Sequence, residues 1–202
     1  LGINIPTGKD SLSMKQKYPN DEVIAPGTVI ISAGGNCIDI TKVVEPVLQK
    51  DGGSIYYINL SQDDFKLGGS SFAQTQNKIG TEVPTIKDAD FFKRAFNTIQ
   101  ALILGNQILA GHDIGSGGLI TTLLEMCFAD VNLGANIDLT VFEEKDAIKV
   151  LFAENIGIVM QAKDDSVFES TLNNNNIPFY KLGTVTTTDN LQLTTDNSQP
   201  ST

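Results

Sequence analysis

The sequence predicts a layered domain of the α/β or α+β class that spans about residues 50–190. Short apolar runs rich in β-branched residues alternate there with longer amphipathic segments, which is the pattern of strands that alternate with helices. An Asp-Gly-Gly turn at residues 51–53 marks the start of this stretch and a predicted domain boundary. The composition, with 41% hydrophobic and 19% charged residues, is ordinary for a globular protein.

Two segments precede that turn. Residues 16–27 are polar and contain two prolines, so they are predicted to form a loop. Residues 28–33 are apolar and largely β-branched, so they are predicted to form a buried strand that ends at the glycines of positions 34–35.

The elements of the main domain follow in order. Strands are predicted at 54–60, 135–139, 156–161 and 179–185, and helices at 88–107, 117–128, 140–152 and 164–172. The helix at 88–107 carries the clearest signal, because its apolar residues recur every three or four positions and Asp88 or Asp90 can cap its start. Thr140 and Glu143 have the spacing of a capping box. The Gly-Gly-Ser sequence at 68–70 is interpreted as a loop that enters a helix.

Charge and composition exclude several classes of protein. The net charge is −10 and the acids are spread along the chain, which argues against a nucleic-acid-binding surface. The apolar runs are too short to cross a bilayer and no secretory signal opens the chain, so no membrane is expected as a partner. Cys37 and Cys127 are far apart and fit two reduced thiols in a cytoplasmic protein. The chain starts without methionine and ends in a polar tail, and it is interpreted as a piece of a longer protein.

The sequence His-Asp-Ile-Gly-Ser-Gly-Gly at residues 112–118 is the strongest candidate for chemistry. Its glycines allow a tight turn and the close approach of a ligand, and the helix behind them directs unpaired N–H groups at the loop, which suits an anion. Asp113 is suited to a metal that bridges phosphate oxygens, so the motif indicates Mg²⁺ with a nucleotide or phosphate ester. The alternatives are an ordinary tight turn before a helix and a structural role for His112. Glu125 is expected either to face the loop or to lie at its rim.

A second polar patch lies at residues 8–13. It is not a Walker A loop, because no glycine stands five residues before Gly8 and Asp10 follows the lysine. Lys9 is suited to bind phosphate as a point charge and Asp10 to bind it through Mg²⁺. Ser11 and Ser13 supply hydroxyl donors. The alternative is a solvated turn.

Taken together, these motifs resemble the long form of phosphoribosylformylglycinamidine synthase, within a superfamily that includes aminoimidazole ribonucleotide synthetase. The resemblance covers about residues 1–185, and its two polar motifs are specific in combination although neither is specific alone. The matching segments lie at residues 6–15, 30–33, 67–70, 112–119, 124–129 and 151–157.

The resemblance implies both a fold and a reaction. It implies a three-layer α/β/α domain of the C-terminal type at residues 49–202, preceded at residues 1–48 by the end of an ATP-binding N-terminal-type domain. The reaction would be the ATP- and glutamine-dependent amidation of formylglycinamide ribonucleotide in purine biosynthesis. ATP and Mg²⁺ are then the expected cofactors, and a glutaminase domain in the same chain is the expected partner. The 202 residues by themselves are expected to be inactive.

The resemblance also assigns site residues. Lys9, Asp10 and Ser11 fall where relatives place contacts to nucleotide, magnesium and substrate phosphate. Asp113 falls where the long enzymes have a magnesium ligand of a second, auxiliary nucleotide site.

One departure from the family pattern affects the auxiliary site. The family loop reads His-Asp-x-Ser-Asp-Gly-Gly-Leu, so Gly115 stands at the position of a serine whose hydroxyl contacts nucleotide. Ser116 stands at the position of a second aspartate, and its hydroxyl replaces the missing one only if the loop shifts. Two other functions stay open: another ATP-using member of the superfamily, and a non-catalytic scaffold domain with a structural nucleotide site.

Overall fold

The computed structural model describes residues 4–9, 14–24, 29–37 and 39–195. The chain divides into two compact units, Leu1–Ile40 and Thr41–Thr202. In the first unit, β1 (Lys15–Tyr18) and β2 (Asp21–Ile24) form an antiparallel hairpin with exposed side chains. The prediction of a loop at residues 16–27 was therefore wrong for residues 16–18 and 21–24.

The predicted buried strand at residues 28–33 is also wrong over its described part. Residues 29–33 have no regular structure, and Ile30 is 87% exposed. An apolar β-branched run becomes a strand only where a neighbouring strand pairs with it and a core covers it. Within the described part of the first unit, backbone hydrogen bonds pair β1 with β2, and the run at 29–33 pairs with neither strand.

The second unit is built on one mixed sheet of six strands. Their order across the sheet is β4-β6-β3-β7-β5-β8, and β5 pairs with β8 in parallel while the other pairs are antiparallel. The strands are β3 (Ile55–Asn59), β4 (Ile108–Asp113), β5 (Gly134–Asp138), β6 (Gly157–Ala162), β7 (Tyr180–Thr186) and β8 (Leu191–Thr194). The helices are α1 (Ser71–Thr75), α2 (Ala89–Leu104), α3 (Gly118–Phe128), α4 (Ala147–Phe152) and α5 (Asp165–Asn174), and short 3-10 turns occupy Ile40–Lys42 and Leu139–Val141.

Helices cover both faces of this sheet, as β3 at its centre shows. Tyr56 belongs to a buried cluster with Phe91 of α2 and Phe168 of α5. Tyr57 points to the opposite face, because successive residues of a strand alternate, and it shares a cluster with Leu119 of α3 and with residues of α4. This arrangement confirms the three-layer α/β/α architecture and the α+β class.

Local capping explains where two of the helices begin. The predicted Asp88 cap is confirmed, because the Asp88 carboxylate accepts hydrogen bonds from the N–H groups of Asp90 and Phe91, both at 2.9 Å. The predicted helix at 140–152 begins too early. Asp138 accepts the Thr140 N–H and caps the short 3-10 turn instead, and α4 begins only after Asp146.

The residues just before the predicted boundary at residues 48 and 49 belong to the second unit and pack within it. The Leu48 side chain is 2% exposed within the core, and its N–H donates to the Met126 carbonyl oxygen at 3.2 Å. The carbonyl oxygen of Glu45 accepts the N–H of Gly111 at 3.1 Å. The division into domain types at 1–48 and 49–202 stays a prediction.

Candidate functional site

The 112–118 motif lies where β4 ends and α3 begins. Ile114 donates its N–H to the carbonyl oxygen of Gly157 at 2.9 Å, which holds the start of the loop against β6. Gly117 and Gly118 then take φ values of +93° and +74°, in the left-handed region that favours glycine. A Cβ on Gly118 would lie 2.7 Å from the carbonyl oxygen of Leu151, so this glycine also permits a close approach to the end of α4.

Both ring nitrogens of His112 face oxygen acceptors. Nδ1 lies 2.8 Å from the Asp113 carbonyl oxygen, and Nε2 lies 3.0 Å from Oε2 of Glu125. The Glu125 side chain is 46% exposed, which places it at the rim of the loop. Thr122 Oγ1 donates to the same carbonyl of Asp113 at 3.0 Å and ties α3 to the end of β4. These contacts favour the structural role of His112.

The Asp113 carboxylate points into solvent. Its side chain is 86% exposed, and Oδ1 lies 3.4 Å from Nδ1 of His112. Across the residues that the structure describes, no group of three histidine, cysteine or acidic side chains is placed to hold a metal ion. The loop thus presents one carboxylate to solvent, and Mg²⁺ is commonly bound by one or two carboxylates together with water and phosphate oxygens.

Gly115 and Ser116 are exposed at the tip of the loop. A Cβ on Gly115 would have no other heavy atom within 4 Å. The surroundings thus leave room at this position for a side chain such as the serine that the family resemblance implies.

Sequence reasoning missed Glu154, which joins two loops at this end of the sheet. Its Oε1 accepts the N–H of Gly117 at 2.8 Å and the N–H of Ser71 at 2.7 Å. The loop that enters α1 at Ser71 therefore lies beside the 112–118 loop. The only sequence signal for Glu154 is its place in the segment 151–157, which carries the family resemblance.

The neighbouring Asn155 fixes a third loop. Its side chain is completely buried, and Nδ2 donates to Oγ of Ser61 at 3.1 Å and to the carbonyl oxygen of Asp64 at 3.0 Å. Its Oδ1 accepts the N–H of Lys66 at 3.4 Å. Residues 154 and 155 together hold three loops at one end of the sheet.

Asp63 carries the strongest charge interactions of the third loop. Its side chain is 2% exposed, and its Oδ1 lies 2.9 Å from Nζ of Lys66 and 3.4 Å from Nζ of Lys87. Burial raises the pKa of this carboxyl, but the hydrogen bonds from Lys66 and from the N–H groups of Thr85 and Asp64 outweigh burial, so the pKa is about 2. The Asp63 carboxylate is therefore charged at neutral pH and stabilises the loop.

An apolar groove of about 340 Å³ opens beside His112 and Asp113. It runs between α2 and the edge strand β4, and residues 44 and 46 form part of its wall. The other lining residues are Ile99, Ile103, Ile108, Gly111, Ile158 and Met160.

The second predicted motif belongs to the first unit. Lys9 is described and exposed. Asp10, Ser11 and Ser13 lie outside the described residues, so the predicted metal and phosphate contacts there remain predictions.

Two further expectations concern the whole chain. No helix among the described residues has the length and apolar character needed to span a membrane. Cys37 and Cys127 are both free thiols, as predicted, and burial raises the pKa of the Cys127 thiol.

This fold and loop arrangement define a known class of domain. Residues 50–196 match the model of the AIR synthase related protein, C-terminal domain, and the chain belongs to that family. The chain is 43% identical over 163 residues to a phosphoribosylformylglycinamidine synthase of Arabidopsis thaliana named as chloroplastic/mitochondrial. This alignment covers 80% of this chain and 11% of the relative. It is 39% identical over 166 residues to the Homo sapiens phosphoribosylformylglycinamidine synthase, covering 81% of this chain and 12% of the relative.

Solved structures agree with this class at the level of the fold. Thermotoga maritima PurL complexed with FGAR aligns with a TM-score of 0.60 at 16% identity, over 78% of this chain and 28% of that chain. The same protein complexed with ATP aligns with a TM-score of 0.56 at 14% identity, over 79% of this chain and 26% of that chain. These structures show the shared fold, and the family model and the two relatives confirm the resemblance seen in the sequence.

Proposed function

We propose that this chain is part of a phosphoribosylformylglycinamidine synthase, a ligase that uses ATP and glutamine to amidate formylglycinamide ribonucleotide in purine biosynthesis. The observation that carries this proposal is the identity of 39–43% to two such synthases over four fifths of the chain. The family match at residues 50–196 includes the loop that presents Asp113 at the end of β4. The chain spans only 11–12% of the length of these relatives, so the remainder of the catalytic machinery is proposed to lie in other parts of a longer protein.

Asp113 is proposed as one ligand of a Mg²⁺ ion that carries an auxiliary nucleotide. Its exposed carboxylate is accessible to a hydrated metal ion with phosphate oxygens. Gly115 and Ser116 are proposed to contact the nucleotide phosphates. The open space around Gly115 would allow the phosphates to approach the loop. ATP is the proposed nucleotide substrate of the whole enzyme, and Thermotoga maritima PurL, which shares this fold, is known as a complex with ATP.

The patch at residues 8–13 is proposed to serve the synthetase reaction itself. Lys9 would bind a phosphate group, Asp10 would bind Mg²⁺, and Ser11 and Ser13 would donate hydroxyl hydrogen bonds. Ammonia would come from a glutaminase domain in the same chain. A cytoplasmic location remains a prediction, because the Arabidopsis relative carries a chloroplastic/mitochondrial name.

Two contacts of the loop favour a second candidate, a non-catalytic scaffold domain whose bound nucleotide, if any, only stabilises the fold. Glu154 already supplies an anion to the N–H of Gly117, and Asp113 is the one loop carboxylate exposed at the end of β4. A domain of this kind would support a catalytic centre built elsewhere. Nucleotide binding without ATP turnover by the full-length protein would favour the scaffold over the synthetase.

The synthetase proposal is tested in the full-length protein with Lys9→Ala and Asp10→Ala. We expect each variant to lower amidine formation at least about tenfold, which corresponds to about 1.4 kcal/mol of transition-state stabilisation. Glutamine hydrolysis should persist, because its site would lie in another domain. Normal amidine formation by both variants would mean that the patch is a solvated turn. The 202-residue chain alone is expected to show no ATP turnover.

A further inference from the structure

Glu154 occupies a position where two separate elements begin. Its Oε1 accepts the N–H of Ser71, the first residue of α1, at 2.7 Å. The same oxygen accepts the N–H of Gly117, which caps the N-terminus of α3, at 2.8 Å. Because one oxygen atom serves both donors, the separation of the two loops is fixed by a single half-buried side chain.

The Glu154 carboxylate also occupies the start of α3. The N-terminus of an α-helix carries a partial positive charge and unpaired N–H groups, and it commonly binds a phosphate. Here Glu154 provides the negative charge at the start of α3. Asp113, four residues before Gly117, keeps its carboxylate exposed on the same loop.

The contacts around Glu154 anchor it on rigid parts of the domain. The rings of Phe72 in α1 and Phe152 at the end of α4 stack with centroids 4.8 Å apart. The completely buried Asn155 holds the chain directly after Glu154. The backbone of Glu154 is therefore held in place. Its carboxylate in turn orders the two loops whose N–H groups it accepts.

We propose that Glu154 is a positioning residue of the nucleotide site at Asp113. Its carboxylate accepts the N–H groups of Ser71 and Gly117 and so fixes the 112–118 loop, which carries Asp113, against the start of α1. The inference rests on the function proposed above, because it assumes Mg-nucleotide binding at Asp113.

The test compares Glu154→Gln with Glu154→Ala in the full-length protein. The glutamine oxygen still accepts both N–H groups, whereas alanine removes the acceptor. Glu143→Ala, which removes an exposed carboxylate, is the control. We expect the Kd for Mg-ADP to rise at least about tenfold in Glu154→Ala and to stay within about threefold of wild type in Glu154→Gln and in the control.

Amide hydrogen exchange gives a second readout that does not depend on nucleotide. Peptides that contain Ser71 and Gly117 should exchange faster in Glu154→Ala and at the wild-type rate in Glu154→Gln, while exchange in β3 and β6 stays unchanged. If Glu154→Ala does not fold, the Glu154→Gln variant tests the proposal by itself. The proposal requires Glu154→Gln to keep both the slow amide exchange and the wild-type affinity for Mg-ADP.

Three results would overturn the inference. Wild-type affinity for Mg-ADP in Glu154→Ala would mean that Glu154 does not position the site. Tighter binding of Mg-ADP or inorganic phosphate by Glu154→Ala would mean that the α3 N-terminus is itself the phosphate site. A loss of affinity in Glu154→Gln equal to that in Glu154→Ala would mean that the negative charge, and not the shared acceptor, matters. Mg-ADP binding that survives Asp113→Ala would instead contradict the proposed nucleotide site, so the two failures are distinguishable.

Discussion

Gln161 pairs with the backbone of Gln49 as a neighbouring strand would. Its Oε1 accepts the N–H of Gln49 at 2.7 Å, and its Nε2 donates to the carbonyl oxygen of Gln49 at 2.7 Å. The Gln161 side chain is completely buried, and a Cβ on Gly52 would overlap it. A single side chain of β6 therefore fixes the segment that leads into β3.

We predict that Gln161→Leu lowers the free energy of unfolding by about 2 kcal/mol, because the N–H and the carbonyl of Gln49 lose their partners inside the domain. Urea denaturation of the purified chain measures this change. Gln192→Leu, at an exposed position of β8, is the control and should change stability by less than about 0.5 kcal/mol. Equal effects of the two variants would mean that the paired hydrogen bonds do not stabilise the fold.

Asp63 should make stability depend on pH. Its pKa is about 2 in the folded chain, below the ordinary value of 3.8, so its stabilising effect is present above about pH 4 and is lost as the pH falls toward 2. We predict that Asp63→Asn costs about 2 kcal/mol at pH 7 and almost nothing near pH 2.

Urea denaturation of Asp63→Asn and wild type between pH 2 and 7 checks this prediction. Asp64→Asn, at the exposed neighbouring carboxylate, should follow the wild-type curve closely. A destabilisation by Asp63→Asn that stays constant down to pH 2 would show that the lost contacts of Asp63 do not depend on its charge.

The two ends of the glycine loop should tolerate substitution very differently. Gly118 has a φ of +74°, and a Cβ there would lie 2.7 Å from the carbonyl oxygen of Leu151. We predict that Gly118→Ala lowers the free energy of unfolding by at least about 2 kcal/mol. Gly115→Ala, in open space, should change it by less than about 0.5 kcal/mol. Thermal unfolding distinguishes these outcomes, and equal tolerance would mean that α3 shifts easily away from α4.

The 202-residue chain alone should not bind Mg-ADP tightly. Asp113 provides one carboxylate, Gly115 has no hydroxyl group, and the remaining metal ligands are proposed to come from the rest of a full-length protein. Since Mg²⁺ releases its waters reluctantly, we predict no change in Tm when millimolar Mg-ADP is added. A rise of several degrees that Asp113→Ala abolishes would show that the site is complete within this chain.

Much of the fold could be predicted because its signals are local. The periodicity of residues 88–107 predicted α2, and Asp88 caps it as expected. The strands around Tyr56 and Val159 were predicted from short apolar runs, since a strand that is buried on both faces needs side chains of that kind along its whole length. The glycines of the 112–118 motif also predicted the turn into α3.

The errors occurred where a distant partner decides the structure. β4 was not predicted, because residues 110–113 look like part of a polar loop and become a strand through pairing with β6. The apolar run at 29–33 is exposed, although its composition favours a buried strand. The helix predicted from Thr140 begins only after its cap at Asp146, because Asp138 accepts the N–H of Thr140 and caps a short 3-10 turn there.

The sequence by itself determined the class of the fold, the family and the loop that presents Asp113, because periodicity, glycine spacing and motif order are properties of neighbouring residues. Only the tertiary structure placed Glu154 between Ser71 and Gly117, and Gln161 beside Gln49. Those contacts join residues far apart in the chain. A polar side chain that satisfies distant backbone groups leaves no periodic signal, since its partners are set by how the strands and helices pack.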